Sequence, residues 1–340
     1  MNNLPISPDN PLPIPGPIGL MELLIIVTFI IHILFVNFTV SLATGAVGLE
    51  IAGKIRKNAL LYHMAKSCSF HASIHKSIAV VMGVAPLLII SVIYTQYFYP
   101  STILIGKTWL SVIPLLIIAF LLLYLYKFTW DKWENKKALH ILVGFAAVLI
   151  LLYIPLIFIV NITSMLYPDK WGDVQGFFPS LLHYPQIWER YLHFILASLA
   201  TGGFYVFLFY AYKNRKKGGL EDYEQSLKLF GAKVGLWITV LQLIAGFLLL
   251  FAFKTEVRML FMGEDLLLTT LLMISIVLTI ILCIFLFLAG YKDSFKSFVL
   301  SATLFVLIVG IMGWIRHEVR ETYLSPYFDE FPRTEQSMEK

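Results

Sequence analysis

Imidazole nitrogen and thioether sulfur occur at three places where long apolar runs would carry them into lipid: His32, His193 and Met273. A fourth group, Arg316, His317, Glu318 and Arg320, closes the last apolar run. Polar residues in such surroundings are costly, so each is a functional hypothesis. Imidazole and thioether are both ligands of haem iron, and an iron held by one of each is a low-spin electron carrier of raised potential. The plain alternative is structural. A lone membrane histidine more often bonds a carbonyl or a neighbouring helix, and a lone methionine more often fills space. Spacing alone leaves both readings open.

The elements that must position these residues are apolar helices. Of 340 residues, 59% are hydrophobic and 14% charged, and mean hydropathy is +0.79, outside the range of a soluble globular chain. Runs long enough to cross a ~30 Å hydrocarbon core lie near 20–50, 77–97, 108–126, 139–163, 188–212, 230–253, 266–290 and 297–315. They are continuous rather than alternating, so the expected fold is all-α: a polytopic membrane protein of about eight transmembrane helices. The first run lacks the basic flank and cleavage site of a signal peptide and reads as a retained span. Pro86, Pro114 and Pro155 fall inside runs and are expected to kink them.

The 26 Lys and Arg residues divide unevenly between the two ends of these helices. Those near Lys54–Lys76, Lys127–Lys137, Lys213–Lys233 and Lys292–Lys296 outnumber the rest about two to one, which orients that side to the cytoplasm and both termini outside. The net charge of +5 is then explained without a nucleic-acid partner. Cys68 and Cys283 belong to no metal or haem-attachment motif. The organisation expected is a Pro-rich outer lead (1–19), a first four-helix bundle (20–165), an aromatic outer connection suited to the membrane interface (166–187), a second four-helix bundle (188–318) and a polar outer tail (319–340).

Several short motifs resemble, in order, the large haem-binding subunit of cytochrome bd-type quinol oxidases. His32-Ile-Leu-Phe-Val36-Asn-Phe-Thr39 is similar to the family's His-Phe-Leu-Phe-Val-Pro-Leu-Thr. Arg190-Tyr-Leu-His193 with Ala197-Ser198 and Thr201-Gly202 resembles Lys-Phe-Val-His and the Ala-Ser…Thr-Gly run that follows it. Thr270-Leu-Leu-Met273 falls at the place of Arg-Ile-Met, and Gly313-Trp314 with Glu318 resembles Gly-Trp-Phe-Val-Ala-Glu. The resemblance implies His193 and Met273 as axial ligands of a low-spin haem b, His32 as ligand of a second haem, and Glu318 or its neighbour His317 as ligand of a third. Two to three haems b follow, with haem d left open. Arg190, one turn before His193, would pair a haem propionate or simply sit at the interface.

The departures also matter. The Gly-Arg-Gln-Pro-Trp run after the family's glutamate is replaced by Val319-Arg320-Glu321-Thr322-Tyr323, and the long outer quinol loop shrinks to Lys254–Asp265. Spans two to four, as bounded above, contain no Asp or Glu, so no proton route from the cytoplasm is expected. These features imply a respiratory oxidoreductase subunit of the inner membrane that oxidises quinol near its outer face, with Glu264, Asp265 and Glu321 as acid–base groups. Its electrons would pass to a periplasmic c-type cytochrome or reductase, with membrane lipid and a small membrane subunit as further partners. A divergent quinol:oxygen oxidoreductase and a haem-free transporter or structural subunit are the rival readings. His71, His75 and His140 are expected at solvated helix ends, with a cytoplasmic haem or quinone site as the alternative, and His63 and His183 in loops.

Overall fold

The structure, a computed structural model, describes residues 13–292, 295–329 and 333, and the side chains among these outside 290–298. Most of the Pro-rich lead, the Lys292 and Lys296 side chains and nearly all of the tail beyond Asp329 therefore lie outside the described residues. With no water to bond the backbone in a bilayer, apolar runs close their hydrogen bonds internally, and the described residues contain helices and no strand. Eight are long and apolar enough to cross a membrane: α1 (Ile18–Arg56), α2 (Ala59–Ile93), α3 (Val112–Phe128), α4 (Lys137–Met165), α5 (Ile187–Lys217), α6 (Asp222–Ala252), α7 (Leu266–Lys292) and α8 (Phe295–Leu324). The chain is an all-α, multi-pass membrane protein.

Helices α1–α4 pack in a ring, α5–α8 in a second, and α1 lies against α5 between them. The seams use small residues. A Cβ on Gly203 of α5 would meet Gly235 N at 2.7 Å and Gly231 O at 2.9 Å on α6, so these helices approach backbone to backbone. Gly202 faces Ser41 of α1, and beside it Ser198 donates to Asn37 Oδ1 at 2.8 Å.

The largest departure from expectation concerns α2, which begins at Ala59 and not near 77. Lys57 takes a left-handed conformation at the end of α1, and Asn58 Oδ1 accepts from Leu60 N at 2.9 Å, capping α2. The connection is thus a tight turn. Residues 59–76 are too polar to register as an apolar run, yet they form helix against α1 and α5. His63, His71 and His75 are consequently helical, and Lys76 is buried with its ammonium 3.5 Å from the Tyr124 ring centroid.

Pro86 and Pro155 lie inside α2 and α4, and Pro114 lies inside the Gly106–Phe128 span, three residues past the break at Ser111 between its two helical pieces. The aromatic connection is also only partly interfacial. Tyr167, Trp171, Phe177 and Tyr184 are buried, and the Trp171 indole donates to Ser164 O at 3.0 Å, so they plug this end of the core. Phe178 and Trp188 are the exposed members.

Candidate functional site

His32 sits in the α1–α2 seam. Its Nδ1 is 2.9 Å from the carbonyl oxygen of Ala79. A carbonyl only accepts, so Nδ1 carries the hydrogen and the neutral ring keeps its lone pair on Nε2. Gly83, one turn beyond Ala79, makes room for the ring: a Cβ there would lie 2.7 Å from His32 Cε1 and 3.0 Å from Nδ1. An imidazole held through one nitrogen by a carbonyl, with the other basic, is the usual state of a metal-ligating histidine.

His193 faces α6, where Gln242 Nε2 donates to its Nε2 at 2.8 Å. His193 Nδ1 and Gln242 Oε1 are both buried without a partner. Exchanging the two ends of the amide would still leave one imidazole nitrogen unsatisfied. Arg190, one turn away, is engaged within the protein, donating to Gln186 Oε1 at 2.8 Å with its guanidinium 5.6 Å from the Phe253 ring centroid. Met273 is 56% exposed on α7, which packs on α8 and on α6, the helix that His193 faces.

The start of α1 and the end of α8 meet where Gly313 packs on Ile26 and Ile30. That contact gathers a polar cluster. The side chains of Glu22, His317 and Glu321 each bring a ligand atom within 4.8 Å of the others. Arg333 bonds Glu22 Oε1 at 3.2 Å and Glu321 Oε2 at 2.8 Å, and the Tyr94 hydroxyl donates to Glu321. Burial pushes the Tyr94 phenol above its usual range, with Arg320 opposing, so it remains a donor. Arg320 Nη2 is 2.9 Å from His317 Nδ1. Arginine only donates, so Nδ1 accepts, and the hydrogen of neutral His317 lies on Nε2, 3.9 Å from Glu22 Oε2. His317 is therefore committed to this cluster, whereas Glu318 points elsewhere and bonds the Trp314 side chain.

Of the three expected acid–base residues, only Glu321 belongs to the cluster. Asp265 Oδ1 accepts from Leu268 N at 2.7 Å and caps α7, and Glu264 is exposed in the preceding bend.

At the opposite, Lys/Arg-rich end the structure reveals a group that the pattern of apolar runs concealed. Glu50 of α1 is 0% and His140 of α4 1% exposed. Glu50 Oε1 is 2.7 Å from His140 Nδ1 and Oε2 accepts from the Tyr126 hydroxyl at 2.7 Å. His140 is thus a core residue and not a solvated helix end, because α1, α3 and α4 converge on it. His75 departs from expectation in the same way: it is 8% exposed, and both ring nitrogens lack a partner. Phe35 and Phe38 of α1 and Tyr205 of α5 surround it. His71, one turn below, bonds the Tyr205 hydroxyl through Nδ1 at 2.9 Å.

The sequence model of the family described as cytochrome bd terminal oxidase subunit I matches residues 20–254. The chain belongs to that family. A curated relative, cytochrome bd ubiquinol oxidase subunit 1 of Bacillus subtilis (strain 168), is 27% identical over 212 residues, covering 59% of this chain and 44% of the relative. The match thus spans less than half of that relative's length. Among solved structures, the bd oxidase from Geobacillus thermodenitrificans superposes with a TM-score of 0.67 at 14% identity, covering 96% of this chain and 93% of the other. At that identity the likeness concerns the fold.

Haem, the group this family implies, can be tested against these residues. His32 offers a basic Nε2 fixed from behind by a carbonyl, and His193 is a buried imidazole with an orphaned nitrogen beside an orphaned amide oxygen. Both fit a site completed by a group that is not protein.

Proposed function

We propose that the chain is the haem-carrying subunit of a quinol-oxidising complex in a bacterial or archaeal cytoplasmic membrane, with its Lys/Arg-rich end inside and both termini outside. The observation that carries this reading is His32. Its Nδ1–H is spent on the Ala79 carbonyl, its ring is seated on Gly83, and Nε2 is left as a base. His32 and His193 would each hold a haem b, and Glu318 a third, since His317 is occupied by Arg320 and Glu22. Bound haem supplies one-electron redox chemistry at a potential set by its ligands and surroundings.

The chain's own residues would manage the protons. Oxidation of a quinol to its quinone releases two electrons and two protons. The outer cluster offers carboxylate oxygens on Glu22 and Glu321, held in place by Arg333 and the Tyr94 hydroxyl. A carboxylate within hydrogen-bond reach of a quinol hydroxyl can take its proton, and an outer location lets that proton leave to the outer side. Arg320, stacked over the Tyr94 ring at 4.5 Å, positions the histidine of the cluster. Glu264 and Asp265 have no part in this arrangement, because one is exposed and the other caps a helix.

Two acceptors are in question. Transfer to a periplasmic c-type cytochrome or reductase subunit requires no proton from inside. Reduction of oxygen to water does, and Glu50 with His140 favours that second reading, being a buried titratable pair at the inner end. The test is turnover of the purified complex with a reduced quinol analogue, following quinone formation and oxygen together. Quinone formed with stoichiometric oxygen loss supports the oxidase, and quinone formed only on addition of a c-type cytochrome supports the electron-transfer complex. No quinone under either condition refutes both.

A further inference from the structure

The hydrogen bonds of His140 determine where protons sit at the inner end. Nε2 lies 2.8 Å from the main-chain carbonyl of Tyr126. That oxygen can only accept, so Nε2 carries a hydrogen. Nδ1 lies 2.7 Å from Glu50 Oε1, and Glu50 Oε2 already accepts the Tyr126 hydroxyl. If Nδ1 were unprotonated and Glu50 ionised, two lone pairs would face each other at that distance. A proton must therefore lie between them, giving either a carboxylic acid beside an imidazole or a carboxylate beside an imidazolium. Both forms have zero net charge, which is the condition for burying such a pair at low cost. The dyad stores one proton that can move between its two atoms.

Its position suits uptake. Glu50 lies six residues from the end of α1, Tyr126 two from the end of α3 and His140 three from the start of α4, all within ~9 Å of the Lys/Arg-rich end at 1.5 Å per residue. The Trp130 ring packs edge-on against His140 at 4.8 Å. The other titratable groups around this core are Cys68 of α2, Tyr205 and Tyr210 of α5 and Tyr223 of α6, with Tyr62 of α2 near Glu50. Lys137 stacks on the Tyr62 ring at 4.6 Å, Tyr210 bonds Ser67 at 2.6 Å, and Tyr223 bonds Glu224 at 3.3 Å. Tyr205 bonds His71 at 2.9 Å, and none of the hydrogen bonds found for these five groups reaches the Glu50 carboxylate.

The direction of transfer follows from the seam. Glu50 and His32 are 18 residues apart on α1, about five full turns, so they share one face ~27 Å apart. Facing them, Cys68, Ala72, His75, Ala79 and Gly83 follow one another at helical spacing along α2. His75, packed on Phe35 and Phe38 and so ~18 Å or more of helix from Glu50, lies at the His32 end of that line, with two buried nitrogens and no protein partner for either. A buried imidazole left unbonded is expensive unless water or a passing proton completes it.

We propose that the Glu50–His140 dyad takes up protons from the Lys/Arg-rich face for delivery along the α1–α2 seam, with His75 the group that receives them at the His32 end. The proposal rests on the oxygen-reducing reading, in which protons are consumed there. Only protons move, each step leaving the donor to be reloaded from the inner aqueous phase.

Two substitutions at one position decide between relay and scaffold. Glu50→Gln preserves every hydrogen bond: its amide N–H donates to His140 Nδ1 and its amide oxygen accepts from Tyr126. It cannot carry the proton. Glu50→Asp keeps the acid but is one methylene short. In vesicles holding the whole complex, proton uptake from the inner face is timed after a single oxygen pulse, with variants normalised to haem content. The relay predicts that Gln slows uptake about tenfold or more while Asp is the less affected. A scaffold predicts the reverse order, and uptake in Gln within twofold of wild type overturns the proposal. Infrared redox-difference spectra under nitrogen separate this failure from failure of the oxidase reading. A Glu50 carboxyl signal present in wild type and absent in Gln supports the dyad as a redox-linked proton site whatever the acceptor, and no such signal overturns it.

Discussion

Replacing Gly83 with alanine perturbs the His32 site without touching the histidine. The added methyl would lie 2.7 Å from His32 Cε1 and 3.0 Å from Nδ1, so the ring must retreat by about 0.7 Å to reach an ordinary contact distance. A retreat of that size stretches the 2.9 Å bond from Nδ1 to Ala79 O past the limit of a hydrogen bond. The lost bond costs about 1 kcal/mol and the overpacking about 1–3 kcal/mol, offset by the ~1 kcal/mol gained when alanine replaces glycine in a helix. Net destabilisation should therefore be modest, about 1–3 kcal/mol, and the protein should still fold. Metal affinity is more sensitive: loss of the carbonyl that orients a ligating histidine costs about 10–100-fold. Haem extraction should then yield close to one haem fewer per chain in Gly83→Ala, with detergent solubility and helicity retained. Full haem content together with an unaltered redox spectrum would refute the assignment of His32 and the geometry used to reach it.

Other expectations follow from the same contacts. His193→Ala should abolish the low-spin b-type band, whereas Met273→Leu, on an exposed face, should leave its position unchanged, and a shifted band in the leucine variant would restore methionine as the second ligand. His140→Ala leaves Glu50 buried without its partner and should lower stability by about 3 kcal/mol or more, read as a fall in unfolding temperature, while Glu50→Gln should cost less than 1 kcal/mol by the same measure. Tyr94 titrates above the ~10 of a free tyrosine because burial disfavours its anion. Its contribution is full below pH ~10 and is lost as pH rises through its folded value, since the unfolded chain then sheds a proton that the folded one retains. Unfolding temperature should accordingly drop more steeply between pH 9 and 11 in wild type than in Tyr94→Phe, and equal slopes would count against a buried phenol.

The eight spans were legible because hydrophobic length is an unambiguous signal in lipid, and the family was legible because several short motifs resemble it in order. What the sequence concealed came from partners supplied by other helices. Residues 59–76 are polar enough to be mistaken for a loop, and that reading moved His71 and His75 to a solvated end when they lie in the body of α2. Glu50 went unnoticed because it stands inside the first apolar run and its partners, Tyr126 and His140, are 76 and 90 residues away. A search for acids confined to spans two to four could not find it, although a single carboxylate within a span was itself the available signal. The outer cluster could not be read from spacing, because Glu22, Tyr94, Glu321 and Arg333 meet only when α1, α2 and α8 converge.

The central claim, that this family member carries haem on His32 and His193, is tested most directly by a reduced-minus-oxidised visible spectrum of the purified complex, joined to extraction that counts and types the haems. A sharp low-spin b-type band and two to three haems per chain are expected, with the band lost in His193→Ala. A folded, eight-span protein that contains no haem would contradict that claim.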